Sequence, residues 1–273
     1  MLNTEGSTYS KVGNQMLVEE SGDFQGMLSG GCLEGDLALR AKSVISSGVA
    51  ATVTYDLRAD DEVFGLGVGC EGALHILIQP LLAESGYEPF SGLVKTLDDA
   101  PFATMPLTDG EIDLGVARIQ APLRLLVLGA GQDVDPLIQF GVALGWNVVV
   151  SDHRAAAIER LRSASSASLN CVPIDDVQSS FELDKFDAAI VMSHNLTADR
   201  KYLMTLADSA VEFVGLLGPP HRRDRLLDEI GPYAGKLGDR LRGPVGRQIG
   251  GRGPAAIALE IAAQLQEHFS RSD

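Results

Sequence analysis

The stretch from residue 124 to 154, RLLVLGAGQDVDPLIQFGVALGWNVVVSDHR, narrows the possible folds more than any other part of the chain. Residues 125–128 form a short continuous apolar run that stops at Gly129, the pattern of a strand buried on both faces of a parallel sheet. Val134, Leu137, Ile138 and Gly141 then recur at helical spacing, and Gly145 closes that helix. Residues 147–151, with consecutive valines, supply a second strand before Asp152. A strand, a glycine turn, a helix and a strand in that order open a nucleotide-binding α/β domain.

The glycine turn departs from the usual fingerprint. Gly129 and Gly131 fill the first two positions of G-x-G-x-x-G, where the chain turns tightly and a phosphate can approach the backbone, but Val134 stands in the third. A side chain there is expected to hold the helix farther from the strand. Asp133 and Asp135 suit the dipole of the first helical turn yet repel a pyrophosphate seeking the same amides. Asp152 lies where a dinucleotide-binding protein places the acid for a ribose hydroxyl. These residues imply a Rossmann-like sheet and leave its occupation by NAD(P) open.

Strand and helix continue to alternate: a helix over 155–162, strands at 169–172, 188–192 and 211–217, and a last helix from Pro254. The fold class is therefore α/β, a C-terminal Rossmann-like parallel sheet with a smaller N-terminal α+β domain. His194 follows the 188–192 strand, on the edge where open α/β sheets bind ligands, and is the acid–base candidate. Asp199 is its nearest candidate carboxylate, and a loop-bracing role for His194 stays open. Arg222 and Arg223 crowd a helix start, which needs carboxylates or a bound anion to offset the dipole. Arg240, Arg242, Arg247 and Arg252 are interleaved with glycines in DRLRGPVGRQIGGRGP, a composition suited to a phosphate.

In the first half, residues 4–11 read as a polar loop with no apolar strand ahead of it, so the domain is expected to lack a strand or to take it from elsewhere. Residues 15–19 read as a strand that hairpins through Ser21, Gly22 and Asp23. Ser29, Gly30, Gly31 and Cys32 precede the helical pattern of Leu33, Leu37, Ala41, Val44 and Ile45. Cys32 thus falls at a helix N-terminus, where dipoles favour a thiolate, while Glu34 opposes that shift. After a strand at 51–57 comes GLGVGCEG, in which Gly69 and Cys70 belong to a turn built for close packing or for an anion nest. His75, on the next strand, reads as a satisfied strand histidine. No CxxC or ligand-spaced histidine points to structural zinc, but two glycine-wrapped thiols leave room for a soft metal or a sulfur-bearing ligand. Glycine and proline punctuate residues 81–122, the end of the first domain and a linker with a few peripheral strands. The expected domains are 1–113 and 122–273.

With 22 Lys and Arg against 37 Asp and Glu, the net charge of −15 argues against nucleic acid or an anionic membrane as the main partner. No apolar run approaches a bilayer span and the first residues lack the apolar core of a signal peptide, so a cytoplasmic location with reduced thiols is expected.

Five blocks in this order resemble the XdhC/CoxI family of xanthine dehydrogenase accessory proteins: TEGSTYSKVGNQMLV, SGGCLEGD, YDLRADDEVFGLGVGCEG, LVLGAGQDVDPL with VSDHR, and FVGLLGPPHRRDRLL followed by GPVGRQIGGRGPAAIALEIAA. The resemblance implies a non-catalytic chaperone that binds molybdenum cofactor, a molybdopterin, and delivers it to a molybdenum hydroxylase such as xanthine dehydrogenase, aided by a cysteine desulfurase. It makes Cys32 and Cys70 the candidates for contact with molybdenum or the pterin. A homodimer that shields the cargo is also expected. The alternative drawn from Gly129, Gly131 and Asp152 is an NAD(P)-dependent oxidoreductase, and a third reading is an interaction scaffold.

Overall fold

The computed structural model describes residues 1–57, 72–162 and 167–270. The chain divides into two compact units, Met1–Ala121 and Pro122–Asp273.

The first unit contains β1 (Asn3–Gly6), β2 (Met16–Val18), β3 (Phe24–Gly26), α1 (Glu34–Ser47), β4 (Ala51–Asp56), β5 (Gly72–Ile78), α2 (Phe90–Leu97), β6 (Phe102–Asp109) and β7 (Ile112–Gln120). An antiparallel sheet in the order β1-β5-β4 packs Tyr55, Leu74 and Ile76 against Leu33 and Leu37 at the start of α1. His75 points to the opposite face of β5, where its ring meets Thr54 Oγ1 at 3.0 Å and Glu5 Oε1 at 3.4 Å. Two segments differ from expectation. Part of the supposed loop at 4–11 belongs to β1, which pairs Thr4 with Leu74 and Gly6 with Gly72. Its residues are polar because the strand lies at the sheet edge and is largely exposed, so no apolar pattern announces it. In residues 81–122 the expected peripheral strands are the hairpin β6–β7, interrupted by a register shift between Pro106 and Thr108, and the difference is the helix α2 ahead of them.

The second unit contains β8 (Arg124–Leu128), α3 (Val134–Ala143), β9 (Asn147–Asp152), α4 (Ala155–Arg162), β10 (Ser168–Cys171), β11 (Ala188–Val191), α5 (Leu196–Ala207), β12 (Phe213–Leu216), α6 (Pro220–Ile230), α7 (Pro232–Leu237), β13 (Leu241–Arg242) and α8 (Pro254–Ser270). Its six strands run β10-β9-β8-β11-β12-β13, with parallel pairing throughout. β8 lies inside the sheet and is covered on both faces, which is why its apolar run is continuous rather than alternating. Leu125 and Val127 face Val134, Leu137 and Ile138 of α3 and Ile261 of α8; Leu126 and Leu128 face Tyr202, Leu203 and Leu206 of α5. Val134 is itself fully buried in the first of these clusters, so the side chain in the third fingerprint position serves as core. Close approach of α3 to the sheet is supplied instead by Gly141, where a Cβ would stand 2.7 Å from Val148 Cγ2. The two-residue strand β13 falls within the stretch of interleaved arginines and glycines, too short for any periodicity to show.

This order places β8 beside β11 while the chain leaves them for opposite sides of the sheet. The loops after β8 and β11 therefore lie together at the switch point, where doubly wound sheets leave a crevice.

Candidate functional site

The backbones of these two loops touch. At Gly129 (φ 129°) a Cβ would come within 2.5 Å of the Met192 carbonyl oxygen, so the turn admits only glycine. Above Gly131 the space is filled by the chain itself: a Cβ there would meet Asp133 Oδ1 at 2.5 Å and His194 Nε2 at 2.9 Å. His194 adopts a left-handed backbone (φ 58°) and brings Nε2 to 3.2 Å from the Asp133 carboxylate. The carboxylate beside His194 is thus Asp133 rather than Asp199. Asp199 is buried and accepts hydrogen bonds from the Ser193 amide and hydroxyl and, at 2.6 Å, from Arg222 Nη2. Capping of α5 falls to Asn195, whose side chain accepts from the amides of Thr197 and Ala198.

Asp152 is fully buried and its oxygens are taken up. One accepts the Ala130 amide at 2.8 Å and Arg154 Nη2 at 2.7 Å; the other accepts the Arg154 amide and Nε. Burial alone would raise its pKa, but these hydrogen bonds from Arg154 and Ala130 hold the carboxyl below its ordinary value. Arg160 Nη2 donates to the Ala130 carbonyl at 2.6 Å and to that of Gly131 at 3.0 Å. A nicotinamide dinucleotide needs an acid open to its ribose and an open space over the second glycine. The residues as arranged fit neither requirement.

The basic residues are also largely committed to the protein. Arg223 donates to the Gly243 carbonyl at 2.6 Å and pairs with Asp224, which ties the start of α6 to the strand-end glycine. Arg247 pairs with Glu267. Arg240 spends its guanidinium on the carbonyls of Ala207, Ser209, Val211 and Lys236, a structural clamp. Arg252 is exposed and makes no ion pair among the described residues. Arg222 Nε is buried without a hydrogen-bond partner among them.

In the first unit Cys32 is an exposed free thiol just ahead of α1. Gly30 and Gly31 have φ of 79° and 108°, and a Cβ on Gly31 would meet open space. Glu34 does not lie beside the thiol on the surface; it is 3% exposed and turned back under the loop. Its Oε1 accepts the amides of Leu28 and Ser29, both at 2.8 Å, and Oε2 accepts the Ser29 hydroxyl at 2.5 Å and the Gly31 amide at 3.0 Å. Burial pushes this carboxyl up, but the hydrogen bonds from Ser29 and Leu28 prevail and bring it down to about 2. Gly69 and Cys70 lie outside the described residues, so the proposed pairing of two thiols is not a matter of geometry here. Cys171, which the sequence pattern did not single out, is a second exposed thiol at the end of β10.

Comparison with known proteins follows the same division. The model described as the XdhC Rossmann domain matches residues 125–265, more than half of the chain, and that of the XdhC and CoxI family matches residues 1–56. The chain belongs to the XdhC/CoxI family. This XdhC-family chain is 27% identical to a probable xanthine dehydrogenase subunit of Bacillus subtilis, over 97% of its own length and 90% of that protein. It is 23% identical to the molybdenum cofactor insertion chaperone PaoD of Escherichia coli, over 97% of its own length and 80% of that protein. A crystal structure described as a xanthine dehydrogenase from Bacillus halodurans superposes with a TM-score of 0.77 at 28% identity, covering 99% of this chain and 90% of that one. In the XdhC-family chain the Cys32 turn falls inside the first matched region, and His194, Arg222 and Arg247 inside the second. Among the described residues no cluster of His, Cys, Asp and Glu could by itself hold a metal ion, and no helix is long and apolar enough to cross a membrane.

Proposed function

We propose that the protein is a molybdenum cofactor chaperone: it binds the cofactor as cargo, performs no turnover of its own, and hands the cargo to a xanthine dehydrogenase-type hydroxylase. The observation that carries this reading is the exposed Cys32 thiol on a turn whose backbone is fixed from beneath by Glu34. A dithiolene-bound molybdenum is soft enough to accept a thiolate, and Gly31 beside the thiol, where a Cβ would meet open space, lets a flat pterin approach the chain. Cys70 is the candidate second thiol. Within the second unit Arg252 is exposed and without an ion pair among the described residues, an anion candidate of a different kind from Arg222, Arg223 and Arg247, which are held by carboxylates. A cysteine desulfurase as sulfur donor and a homodimer that shields the cargo complete the proposal, in a cytoplasmic setting.

Protein purified from cofactor-producing cells is expected to release a fluorescent pterin on acid treatment, and Cys32→Ser to retain about tenfold less. Repeated preparations free of pterin would sink the proposal. Comparing hydroxylase activity in cells with and without this protein separates a chaperone from an inert scaffold, for which the two activities would be equal. The oxidoreductase alternative draws support from Gly129 and Gly131, but needs Arg154 to leave Asp152. Titration with NADH up to about millimolar is expected to be flat.

A further inference from the structure

Among the described residues Glu34 accepts four hydrogen bonds, all from its own turn. We propose that Glu34 is the positioning residue of the Cys32 site: a built-in anion that fills the amide nest of residues 28–31 and so fixes the thiol's approach to the cargo. The inference rests on the chaperone reading.

The geometry divides the work between the two oxygens. Oε1 holds the amides of Leu28 and Ser29, the far side of the turn. Oε2 holds the Ser29 hydroxyl and the Gly31 amide, the residue directly before the cysteine. The Ser29 hydroxyl in turn accepts the Leu33 amide at 2.7 Å, so both sides of Cys32 are tied to one carboxylate. Gly30 and Gly31 have positive φ, a path that without the clamp has many alternatives. Since the nest is already occupied by a carboxylate, a phosphate gains nothing by entering it. The turn therefore presents sulfur, not amides, and selects the soft end of the cargo over its anionic end.

The test uses the full chain with Glu34→Gln, which keeps an acceptor at one position and loses the charged acceptor that holds Ser29 Oγ and Gly31 N. Three quantities are read: pterin content after purification from cofactor-producing cells, the thermal transition, and hydrogen exchange of the amides of residues 28–33. The expected result is about tenfold less pterin, an exchange increase confined to the turn, and a cooperative transition as in the unaltered protein. Ser29→Ala, which removes a partner of Oε2 but no charge, is expected to show the same losses in smaller measure and serves where Glu34→Gln does not fold. Pterin at the unaltered level in the variant overturns the positioning role while leaving the chaperone reading intact. Unchanged exchange in the turn also overturns it. If the unaltered protein holds no pterin, or Cys32→Ser holds as much as it does, the chaperone reading itself falls.

Discussion

At the scale of single residues, buried polar groups set the behaviour. Glu34 has a folded pKa of about 2, below its ordinary value near 4.5. Its depressed pKa contributes about 3 kcal/mol that is fully present above pH 4.5 and is lost as pH falls through 2. The stability gap between the unaltered protein and Glu34→Gln, measured by urea denaturation, should therefore shrink steadily between pH 5 and pH 2. Asp199 and Arg222 form a pair in which the carboxylate is 1% exposed. Asp199→Asn leaves a guanidinium short of its charge and is expected to cost about 3 kcal/mol in the same measurement. Tyr202 behaves in the opposite sense. Burial, with Asp152 and Asp199 nearby, pushes its hydroxyl up to about 12, and that hydroxyl has no hydrogen-bond partner among the described residues. Tyr202→Phe should leave stability within about 0.5 kcal/mol of the unaltered protein or raise it, because it removes an unsatisfied group from the core.

At the scale of elements, α8 closes one face of the Rossmann sheet. Ile261 is fully buried against β8 and α3, so Ile261→Ala is expected to destabilise the second unit by about 2–5 kcal/mol through lost burial and an unfilled cavity. Denaturation followed at Trp146, which belongs to the same cluster, reads that shift directly. The two loops at the switch point are elements of a different kind. Their contact at Gly129 leaves no room for a side chain, and Gly129→Ala combines a 2.5 Å clash with a φ that alanine rarely adopts. By contrast, Gly31 borders open space and serves backbone path, while a Cβ on Gly30 would press within 3.3 Å of the Tyr9 ring.

At the scale of the whole molecule, the two units differ in how they are held together. Among the described residues the first gathers one small apolar cluster around Leu33, Leu74 and Ile76; the second has an extensive cluster on each face of its sheet. Since stability follows apolar burial, unfolding in urea should show two steps, the first unit leading. Ile261→Ala should then move only the later step, and a single coincident transition in the unaltered protein would contradict the expectation.

The continuous apolar run of β8, the glycine at its end and the alternation of strand and helix determined the parallel sheet from sequence alone. Burial on both faces imprints itself on consecutive residues, and such periodicity is a local signal. The polar edge strand β1 and the two-residue β13 left no such imprint, since one is held mainly by backbone bonds and the other is too short to show a pattern. Which group each site residue meets was decided by tertiary structure. His194 finds Asp133, Asp152 is closed by Arg154 and the Ala130 amide, and Glu34 turns inward under the thiol turn rather than outward beside it. Hydrogen bonding acts over about 3 Å between groups that the fold brings together from distant positions, and residue spacing along the chain carries almost no record of that distance.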